Sequence, residues 1–299
     1  MAEPGSVRHS VCISRSAEPV RSSRSVRPSG SDGRWPVPLG AESMYGMYLS
    51  AGGAQSFSHY VDVISNNIAN AETPGFRREF PVLRARHAEA IELGTVTPGS
   101  GRREDVGGGV LLSETMTDFS PGTFEETGSP TDLAIADRDG KTFFAVQGDA
   151  PGETLLTRAG NFFVDELGTL RTQEDRAVLA IGNTPVRVDP RFPVVVTNDG
   201  IVSQVENGLR IPLALLQPRE LKDLEKAGEN TFRDRGSSRG APLTDRQIRQ
   251  GFVEHSSSQP VQEMVELIKA SRAYEANVKM IQHHDETASS LISRLLTQG

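Results

Sequence analysis

A long hydrophobic repeat near the C-terminus limits the fold more than any other feature of this sequence. Its positions alternate at spacings of three and four residues over four heptads. This spacing predicts an amphipathic helix with a coiled-coil seam. Pro260 suits the first helical position, with Ser258 or Gln259 as the cap. About 36 residues give a helix of about 54 Å, which is too long for a seam that only closes a small domain. The seam positions are Met264, Leu267, Ser271, Tyr274, Val278, Ile281, Asp285, Ala288, Ile292 and Leu295.

A second, weaker repeat predicts another helix over about residues 45–69. Gly52 and Gly53 lie in its middle, where each glycine costs a helix about 1 kcal/mol. We therefore expect a neighbour to approach the backbone closely at that point. The helix should end near Asn70, because the following Pro74-Gly75 cannot continue it. The seam positions are Met47, Ser50, Ala54, Phe57, Val61, Ile64 and Ile68.

Residues 1–43 differ from the rest of the chain, with ten serines, six arginines and almost no apolar periodicity. Such a segment cannot bury enough surface to offset the entropy lost on ordering. We interpret it as a disordered extension, or as upstream sequence from a misassigned start with Met44 as the true start. A basic docking arm is the functional alternative.

Residues 113–250 are predicted to form an irregular all-β domain, because short apolar runs alternate there with turn signals. Residues 81–112 show little pattern and are interpreted as a linker. The predicted fold class is α+β: long N- and C-terminal helices, in residues 44–80 and 251–299, pack together in a helical domain and bracket the β domain. The predicted turns are at Asp139-Gly140, Leu167-Gly168, Gly182-Asn183 and Asp199-Gly200.

Composition and charge argue against several classes of protein. The formal net charge of -7 argues against nucleic acid as a partner, since phosphate contacts need clustered Lys and Arg. We expect no membrane span, because the sequence has no run of about 18 apolar residues. A cleaved secretory signal is not expected either, as no apolar segment follows the first arginines. Cys12 is the only cysteine, so an internal disulfide cannot form.

The sequence offers little that would support chemistry. The run His283-His284-Asp285-Glu286 suggests a metal site, but adjacent helical side chains do not face one another. Zinc sites use i, i+4 spacing or three ligands, so a solvated helix surface is favoured. A G-x-S-x-G match occurs at residues 236–240, but no helical repeat follows it, so it is not interpreted as the strand-to-helix turn that carries a nucleophile. We therefore expect a non-enzymatic protein with no catalytic residue, no cofactor and no metal ion.

Four segments, in the order of the chain, resemble the signatures of the bacterial flagellar rod and hook protein family. They are SNNIANAETPGFRR at residues 65–78, SPTDLAI at 129–135, TRAGNF at 157–162, and the helical segment that begins PVQEMVELI at 260–268. The resemblance extends from about Met44 to the end of the chain. Ser256-Ser257-Ser258-Gln259 departs from it, because the family usually has an Asn-rich link there.

The resemblance implies a structural subunit of the flagellar basal-body rod. Family members are exported unfolded by the flagellar type III apparatus, without signal cleavage, and polymerise in the periplasm. Their terminal helices form the inner layer of a tube and the β domain forms the outer layer. The implied partners are other copies, other rod and hook subunits and the export apparatus.

The subtype and the competing functions are further expectations. The compact stretch 183–250 and the 256 residues from Met44 favour a proximal over a distal rod subunit. A hook or other axial subunit of the same family is one alternative. A secreted enzyme or carbohydrate-binding β domain with helical oligomerisation arms is another.

The expected assembly interface combines both helical seams with the exit from the first helix. Asn66, Asn67 and Asn70 would satisfy the last carbonyls of that helix or a neighbouring subunit's backbone. Capping by Asn70 alone is the alternative. Arg77 and Arg78 are expected on the surface or in an inter-subunit pair.

Phe76 is expected to anchor packing next to the Pro74-Gly75 turn, and Tyr274 to belong to a packed seam. The predicted interface residues are Phe57, Val61, Ile64, Asn66, Asn67, Ile68, Asn70, Pro74, Gly75, Phe76, Met264, Leu267, Tyr274, Asn277, Val278, Ile281, Ile292 and Leu295.

Overall fold

The computed structural model of the protein describes residues 39–87, 91, 107–137, 139–150, 152–228, 230–236, 238–242 and 247–297. Most of the N-terminal segment 1–43 therefore lies outside the described residues. By its contacts the chain divides into Met1–Ala41 and Glu42–Gly299. The architecture described below is that of the second unit.

Two long helices bracket the described chain, α1 at Leu39–Ala69 and α2 at Pro260–Thr297. α2 begins at the proline that the sequence placed in its first turn. The backbone N–H of Glu263 donates to the carbonyl of Gln259 at 3.0 Å, which makes Gln259 the cap residue. α1 begins several residues before the predicted start, because its apolar repeat begins only at Met47 and periodicity does not reveal the residues before it.

The chain between the helices forms short strands, as the alternation of apolar runs and turns predicted. The strands are β1 Glu79–Ala85, β2 Val110–Thr117, β3 Phe124–Glu126, β4 Leu133–Ile135, β5 Phe143–Gln147, β6 Thr154–Thr157, β7 Phe163–Val164, β8 Leu170–Arg171, β9 Leu179–Ala180, β10 Thr184–Pro185, β11 Val195–Val196, β12 Ile201–Gln204, β13 Leu209–Pro212, β14 Leu215–Gln217, β15 Leu224–Gly228, β16 Thr231–Asp234, β17 Arg239–Gly240, β18 Ile248–Gln250 and β19 Phe252–Glu254. A 3₁₀ turn at Leu221–Asp223 precedes β15.

These strands pair in several small antiparallel sheets. The largest has the order β15-β16-β6-β5-β14-β17, and β11-β12-β13 form a second sheet. The remaining strands pair as β1-β2, β3-β19, β4-β18, β7-β8 and β9-β10. β18 and β19 return to pair with β4 and β3. Because the N–H of Gly75 donates to the carbonyl of Glu254 at the end of β19, the chain re-enters the helical region close to where it left. The predicted irregular β domain between two long helices is confirmed.

Aliphatic side chains from most of these strands fill one buried core, and a smaller aromatic cluster lies beside it. In that cluster the ring centroids of Phe143 and Phe232 are 6.0 Å apart, and Phe119 packs on both rings. The predicted turn glycines all have positive φ. The buried core residues include Leu133, Ile135, Phe144, Val146, Leu155, Phe162, Leu170, Val178, Val186, Val202, Leu213, Leu215 and Ile248.

The segment interpreted as a linker contains a paired ribbon. β1 and β2 pair from Glu79 with Thr117 to Ala85 with Val110, with one irregularity after Val82. Most of their side chains are exposed or half-buried, so the ribbon leaves no regular core-facing pattern in the sequence. This is why the residues showed no strand signal. Residues 88–90 and 92–106 of the linker lie outside the described residues.

α1 and α2 run antiparallel and contact each other along their length, which confirms the predicted pairing of the terminal helices. The contacts recur every seven residues on α1, at positions 46, 53, 60 and 67. A Cβ atom added at Gly46 would lie 2.7 Å from Nε2 of His284. At the other end, Nδ2 of Asn67 lies 3.4 Å from Oε2 of Glu263.

Candidate assembly surface and its buried junction

The seam between the two helices includes small and polar side chains, although α1 also buries Ala54, Val63 and Ile64. Ser50, Gly53, Ser56 and Asn67 are buried on α1. The residues of α2 that meet α1 precede the predicted seam by one position, and Ala270 is 1% exposed among them. A rotation of α2 by one position turns much of its aliphatic stripe away from α1.

The predicted interface residues of α1 fall into three groups by burial. Ile64 and Asn67 are buried within the chain itself, and Phe57, Val61, Ile68 and Asn70 are half-buried. Asn66 is exposed.

The predicted interface residues of the helix exit and of α2 also differ in burial. Gly75 and Phe76 are buried and Pro74 is half-buried, whereas Met264, Tyr274 and Ile292 are exposed. The half-buried residues on α2 are Leu267, Asn277, Val278 and Ile281. The side chain of Leu295 lies outside the described part of the chain.

The asparagines at the end of α1 act within the chain. The side chain of Asn67 pairs with the backbone of Glu79 as a strand would: Nδ2 donates to the carbonyl at 2.7 Å and Oδ1 accepts from the N–H at 2.9 Å. Nδ2 of Asn70 donates to the carbonyl of Asn66 at 3.0 Å. Asn70 therefore caps the helix, as the simpler of the two sequence interpretations held.

Apolar side chains remain exposed near both ends of the helix pair. Val261, Met264, Val265 and Ile268, named here the entry patch, are between 47% and 75% exposed on the first turns of α2. At the opposite end Leu291, Ile292 and Leu296 of α2 are between 50% and 78% exposed. Tyr48 of α1 lies at that same end, since the nearby Gly46 lies against His284 of α2. The side chain of Tyr48 is 57% exposed. Exposed apolar patches of this kind mark interaction surfaces.

The exit from α1 is locked by the Pro74-Gly75 turn. Gly75 has φ of 69° and its N–H donates to the carbonyl of Glu254 at 2.7 Å. A Cβ atom at this position would overlap the backbone of Arg158 and Ala159. The next residue, Phe76, is 3% exposed with Nζ of Lys226 4.3 Å from its ring centroid. It therefore packs within the chain, and its place in an assembly interface stays a prediction.

The placement of Arg77 on the surface or in an inter-subunit pair was wrong. Its side chain is fully buried, and one guanidinium nitrogen lies 2.8 Å from Oε1 of Glu254 in the same chain. A second nitrogen donates to the carbonyl of Ser120. Burial lowers the pKa of Arg77, while the carboxylate of Glu254 raises it and so opposes that effect. Arg78 is 30% exposed and lies 3.4 Å from Glu263 at the start of α2.

Arg77 belongs to a buried cluster of four charged side chains, named here the junction cluster: Arg77, Asp137, Arg158 and Glu254. Arg158 is fully buried and donates to Oδ1 of Asp137 at 2.6 Å. Its Nε lies 3.7 Å from Oε2 of Glu254, which is beyond hydrogen-bond distance. The two arginines and two carboxylates balance in charge when all are ionised, as buried ions require.

Asp137, Arg158 and Glu254 were not among the site residues predicted from the sequence. A signal was present, because Arg158 directly follows the short strand β6 and Glu254 is the last residue of β19. A charged residue in such a position is solvated at a strand end or buried with a partner. Only the structure distinguishes these two outcomes, since the partners are distant in sequence.

Among the residues that the structure describes, the remaining polar features are a surface groove and isolated charged side chains. An open groove of about 300 Å³ in the β domain holds Arg171 and Arg176, which pair with Asp165 and Asp149. Among the described residues there is no group of three His, Cys, Asp or Glu side chains that could hold a metal ion. His283 is exposed beside Glu286. Neither helix, over the residues that are described, is long and apolar enough to cross a membrane.

Comparison with known proteins connects this geometry to a family. A family model described as flagella basal body rod protein matches residues 47–77. A second, described as the C-terminal region of the flagellar basal body rod FlgEFG proteins, matches residues 249–294. The two matches fall on α1 with its exit and on β19 with α2.

Relatives match over most of the chain. The flagellar basal-body rod protein FlgF of Caulobacter vibrioides is 36% identical over 251 residues, which cover 83% of this chain and 97% of the relative. FlgF of Mesorhizobium japonicum is 31% identical over 85% of this chain and 97% of its own length. FlgG of Bacillus subtilis is 28% identical over 83% of this chain and 97% of its own length. The chain therefore belongs to the flagellar basal-body rod protein family, as a structural subunit rather than an enzyme.

Proposed function

We propose that this rod protein is a proximal, FlgF-type subunit that polymerises through the outer faces of α1 and α2. The helix pair forms the inner layer of an axial tube and the β domain forms the outer layer. The observation that carries the proposal is the exposure of the entry patch on a helix whose polar side is already covered. A solitary chain leaves these aliphatic side chains in water, and a second copy of the chain would bury them.

The position of the apolar residues favours an open polymer over a closed dimer. The entry patch and the exposed residues Leu291, Ile292 and Leu296 are about 28 residues apart, or about 40 Å along α2. Two different patches at opposite ends suit a heterologous contact, in which one end of a subunit meets the other end of the next. Heterologous contacts that do not close produce helical filaments.

Gly52 gives separate support for a neighbour on α1, at the groove that it lines together with Tyr48 of α1 and Leu111 of β2. The sequence predicted a close approach at Gly52 and Gly53, and only Gly53 meets α2: a Cβ atom there would lie 2.5 Å from Oδ1 of Asn277. A Cβ atom at Gly52 would have nothing within 4 Å. Over the described part of the chain no contact requires a glycine at position 52, which supports close packing there against another copy.

Substitution on the entry patch tests the proposal. Ile268→Glu places a charge at a side chain that is 53% exposed, so the monomer should fold normally. Burying that charge between copies should cost several kcal/mol and lower assembly by more than about tenfold. The amount of the chain in purified basal bodies, relative to the soluble pool, measures assembly, and motility gives a second readout.

Gln262→Glu is the matched control, because Gln262 is exposed on the same first turns of α2 and receives the same charge. It should assemble nearly as the unaltered protein does. Normal incorporation of Ile268→Glu into basal bodies would contradict the proposed interface. A loss caused by misfolding is recognised from the far-UV circular dichroism and the unfolding midpoint of the purified monomer.

We further propose that the chain reaches the rod through the flagellar type III export apparatus without cleavage. The family likeness supports this route. Mass spectrometry of the chain from purified basal bodies should give the same N-terminus as the chain in the cytoplasm. Inactivation of the export ATPase should keep the chain inside the cell. A shortened N-terminus in the rod, or secretion without the apparatus, would contradict the route.

A further inference from the structure

The junction cluster lies where the helix pair meets the β domain, and Glu254 is its centre. Glu254 is the last residue of β19 and is 1% exposed. α2 begins six residues later, at Pro260. On the other side, Gly75 and Arg77 come directly after the exit from α1. Glu254 thus contacts the chain on both its outward and its return path.

Three contacts hold Glu254 in this place. Oε1 accepts from Arg77 at 2.8 Å and from the backbone N–H of Gly122 at 2.9 Å. Its backbone carbonyl accepts from the N–H of Gly75 at 2.7 Å. Through these bonds one residue joins the α1 exit, the segment after β2 and the strand that leads to α2.

The second carboxylate oxygen faces the β domain. Oε2 has no hydrogen bond and lies 3.7 Å from Nε of Arg158. Arg158 in turn donates to the carbonyl of Ile135 at 3.2 Å and to Asp137 at 2.6 Å. Glu254 therefore lies between one arginine that belongs to the helical side and one that belongs to the β domain.

We propose that Glu254 is a positioning residue, whose negative charge fixes the direction in which the helix pair leaves the β domain. The role of Glu254 in the monomer does not depend on the proposed function. Its consequence for assembly does, because a fixed direction of the helices is needed to build the inner and outer layers of one tube. Loss of the charge leaves two buried guanidinium groups with Asp137 as the one remaining carboxylate of the cluster. Their repulsion then loosens the junction, while the aliphatic core of the β domain stays intact.

The direction of the helices is measured as a distance between two spin labels. The labels are attached at Glu275→Cys on α2 and Thr184→Cys on β10, both exposed positions, in a Cys12→Ser background. Position 275 is about 22 Å along α2 from Pro260. A change of about 15° in the direction of α2 therefore moves that label by roughly 6 Å, which pulsed electron paramagnetic resonance resolves.

We expect one narrow distance in the unaltered protein and a broadened or shifted distribution in Glu254→Gln. Glu254→Asp keeps the charge on a shorter side chain and should restore most of the narrow peak. Glu125→Gln is the matched control, because Glu125 pairs with Val253 in the register of β3 and β19 and is exposed beside His255. It should leave the distance unchanged.

Two results would overturn the inference. One is a Glu254→Gln protein whose distance distribution equals that of the unaltered protein. The other is loss of the folded β domain, seen in near-UV circular dichroism, in both Glu254→Gln and the double variant Arg77→Gln with Glu254→Gln. That result would make Glu254 a residue of the general core. The double variant removes one charge of each sign, so it should fold even where the single variant does not.

The distance measurement uses the monomer, so its outcome is independent of assembly. Normal assembly of Ile268→Glu would overturn the proposed interface and leave the distance result standing. An unchanged distance in Glu254→Gln, with assembly lost in Ile268→Glu, would overturn only the role of Glu254. Where both proposals hold, Glu254→Gln should also reduce incorporation into basal bodies by at least about tenfold.

Discussion

Gly75 connects the helix exit to the β domain through a contact that only glycine permits. Its φ of 69° is in the left-handed region, and a Cβ atom would overlap the backbone of Arg158 and Ala159. Both constraints act at the point where the junction cluster is assembled. A single methyl group there should disturb folding more than a methyl group at a turn that is merely left-handed.

The first prediction compares Gly75→Ala with Gly128→Ala. Gly128 has φ of 71°, yet a Cβ atom there would have nothing within 4 Å. Gly128→Ala should therefore cost about 1–2 kcal/mol for the backbone conformation alone. Gly75→Ala should lower the free energy of unfolding by roughly 1–3 kcal/mol more, because the overlap adds to it. Urea denaturation measures both, and equal losses would show that the predicted overlap is relieved.

The second prediction concerns acid stability at the turn between β7 and β8. The carboxylate of Asp165 accepts from Nε of Arg171 at 2.7 Å and from the backbone N–H groups of Thr169 and Leu167 at 2.6 and 2.9 Å. The bond from Arg171 and then the backbone bonds lower the pKa of Asp165 below its usual value. The stability it contributes is present above the unfolded pKa of about 3.9 and is lost as pH falls through the lower folded pKa.

Asp165→Asn should therefore be less stable than the unaltered protein at pH 7, and the difference should be smaller at pH 3, below the unfolded pKa of about 3.9. Urea midpoints at the two pH values give the measurement. Glu166→Gln, at the exposed neighbouring residue of the same turn, should change neither midpoint. A deficit of Asp165→Asn that is equal at both pH values would assign the effect to shape and not to charge.

At the scale of the elements, the helix pair is held together by small and polar side chains at intervals of seven residues. Asn277 lies directly over Gly53, and its Nδ2 donates to the carbonyl of Ala273 at 2.8 Å. Near the start of α2, the hydroxyl of Tyr60 lies 3.5 Å from Oε2 of Glu266. Such a seam fixes the register of the pair while keeping much of the aliphatic surface outside.

The third prediction compares the two neighbouring glycines of α1. Gly53→Ala should displace Asn277 from its bond to Ala273 and destabilise the monomer by roughly 1–3 kcal/mol. Gly52→Ala should stabilise the monomer by up to about 1 kcal/mol, because alanine favours a helix and the added methyl group meets nothing. Thermal unfolding of the two proteins measures the difference.

The effect of Gly52→Ala on assembly should be opposite to its effect on stability, because α1 is proposed to contact another copy near this residue. Gly52→Ala should then assemble less well although its monomer is more stable. Unimpaired assembly of Gly52→Ala would remove the support that this glycine gives to the interface. The comparison separates contacts within a chain from contacts between chains.

The sequence revealed the two helices because their repeats persist over several turns. It also revealed the β domain and its turns, since apolar runs and glycine pairs alternate there. The side of α2 that faces α1 was predicted one position too late in the sequence, because aliphatic residues were assumed to face the other helix. Here some of them, such as Met264 and Ile292, are exposed instead, which periodicity alone cannot show.

Arg77 shows why the junction was missed. A pair of adjacent arginines after a turn is most simply solvated, and burial requires carboxylates from elsewhere in the fold. Glu254 is distant from it in sequence, so no local pattern joins them. The ribbon of β1 and β2 was missed for another reason, since its half-exposed side chains carry no regular alternation.

At the scale of the whole molecule, the proposed assembly depends on aliphatic side chains that a solitary chain leaves exposed and that neighbouring copies cover. Met264 lies in the middle of the entry patch and is 51% exposed. It is also one of the predicted interface residues. The chemical accessibility of this one position, before and after assembly, tests whether assembly buries the entry patch.

The most direct measurement is the rate of thiol modification of Met264→Cys, in the Cys12→Ser background, on the purified monomer and on purified basal bodies. The account predicts rapid modification of the monomer and a rate at least about tenfold lower in the rod, as burial in the core of an interface excludes the reagent. Equal rates in the monomer and in the rod would contradict it.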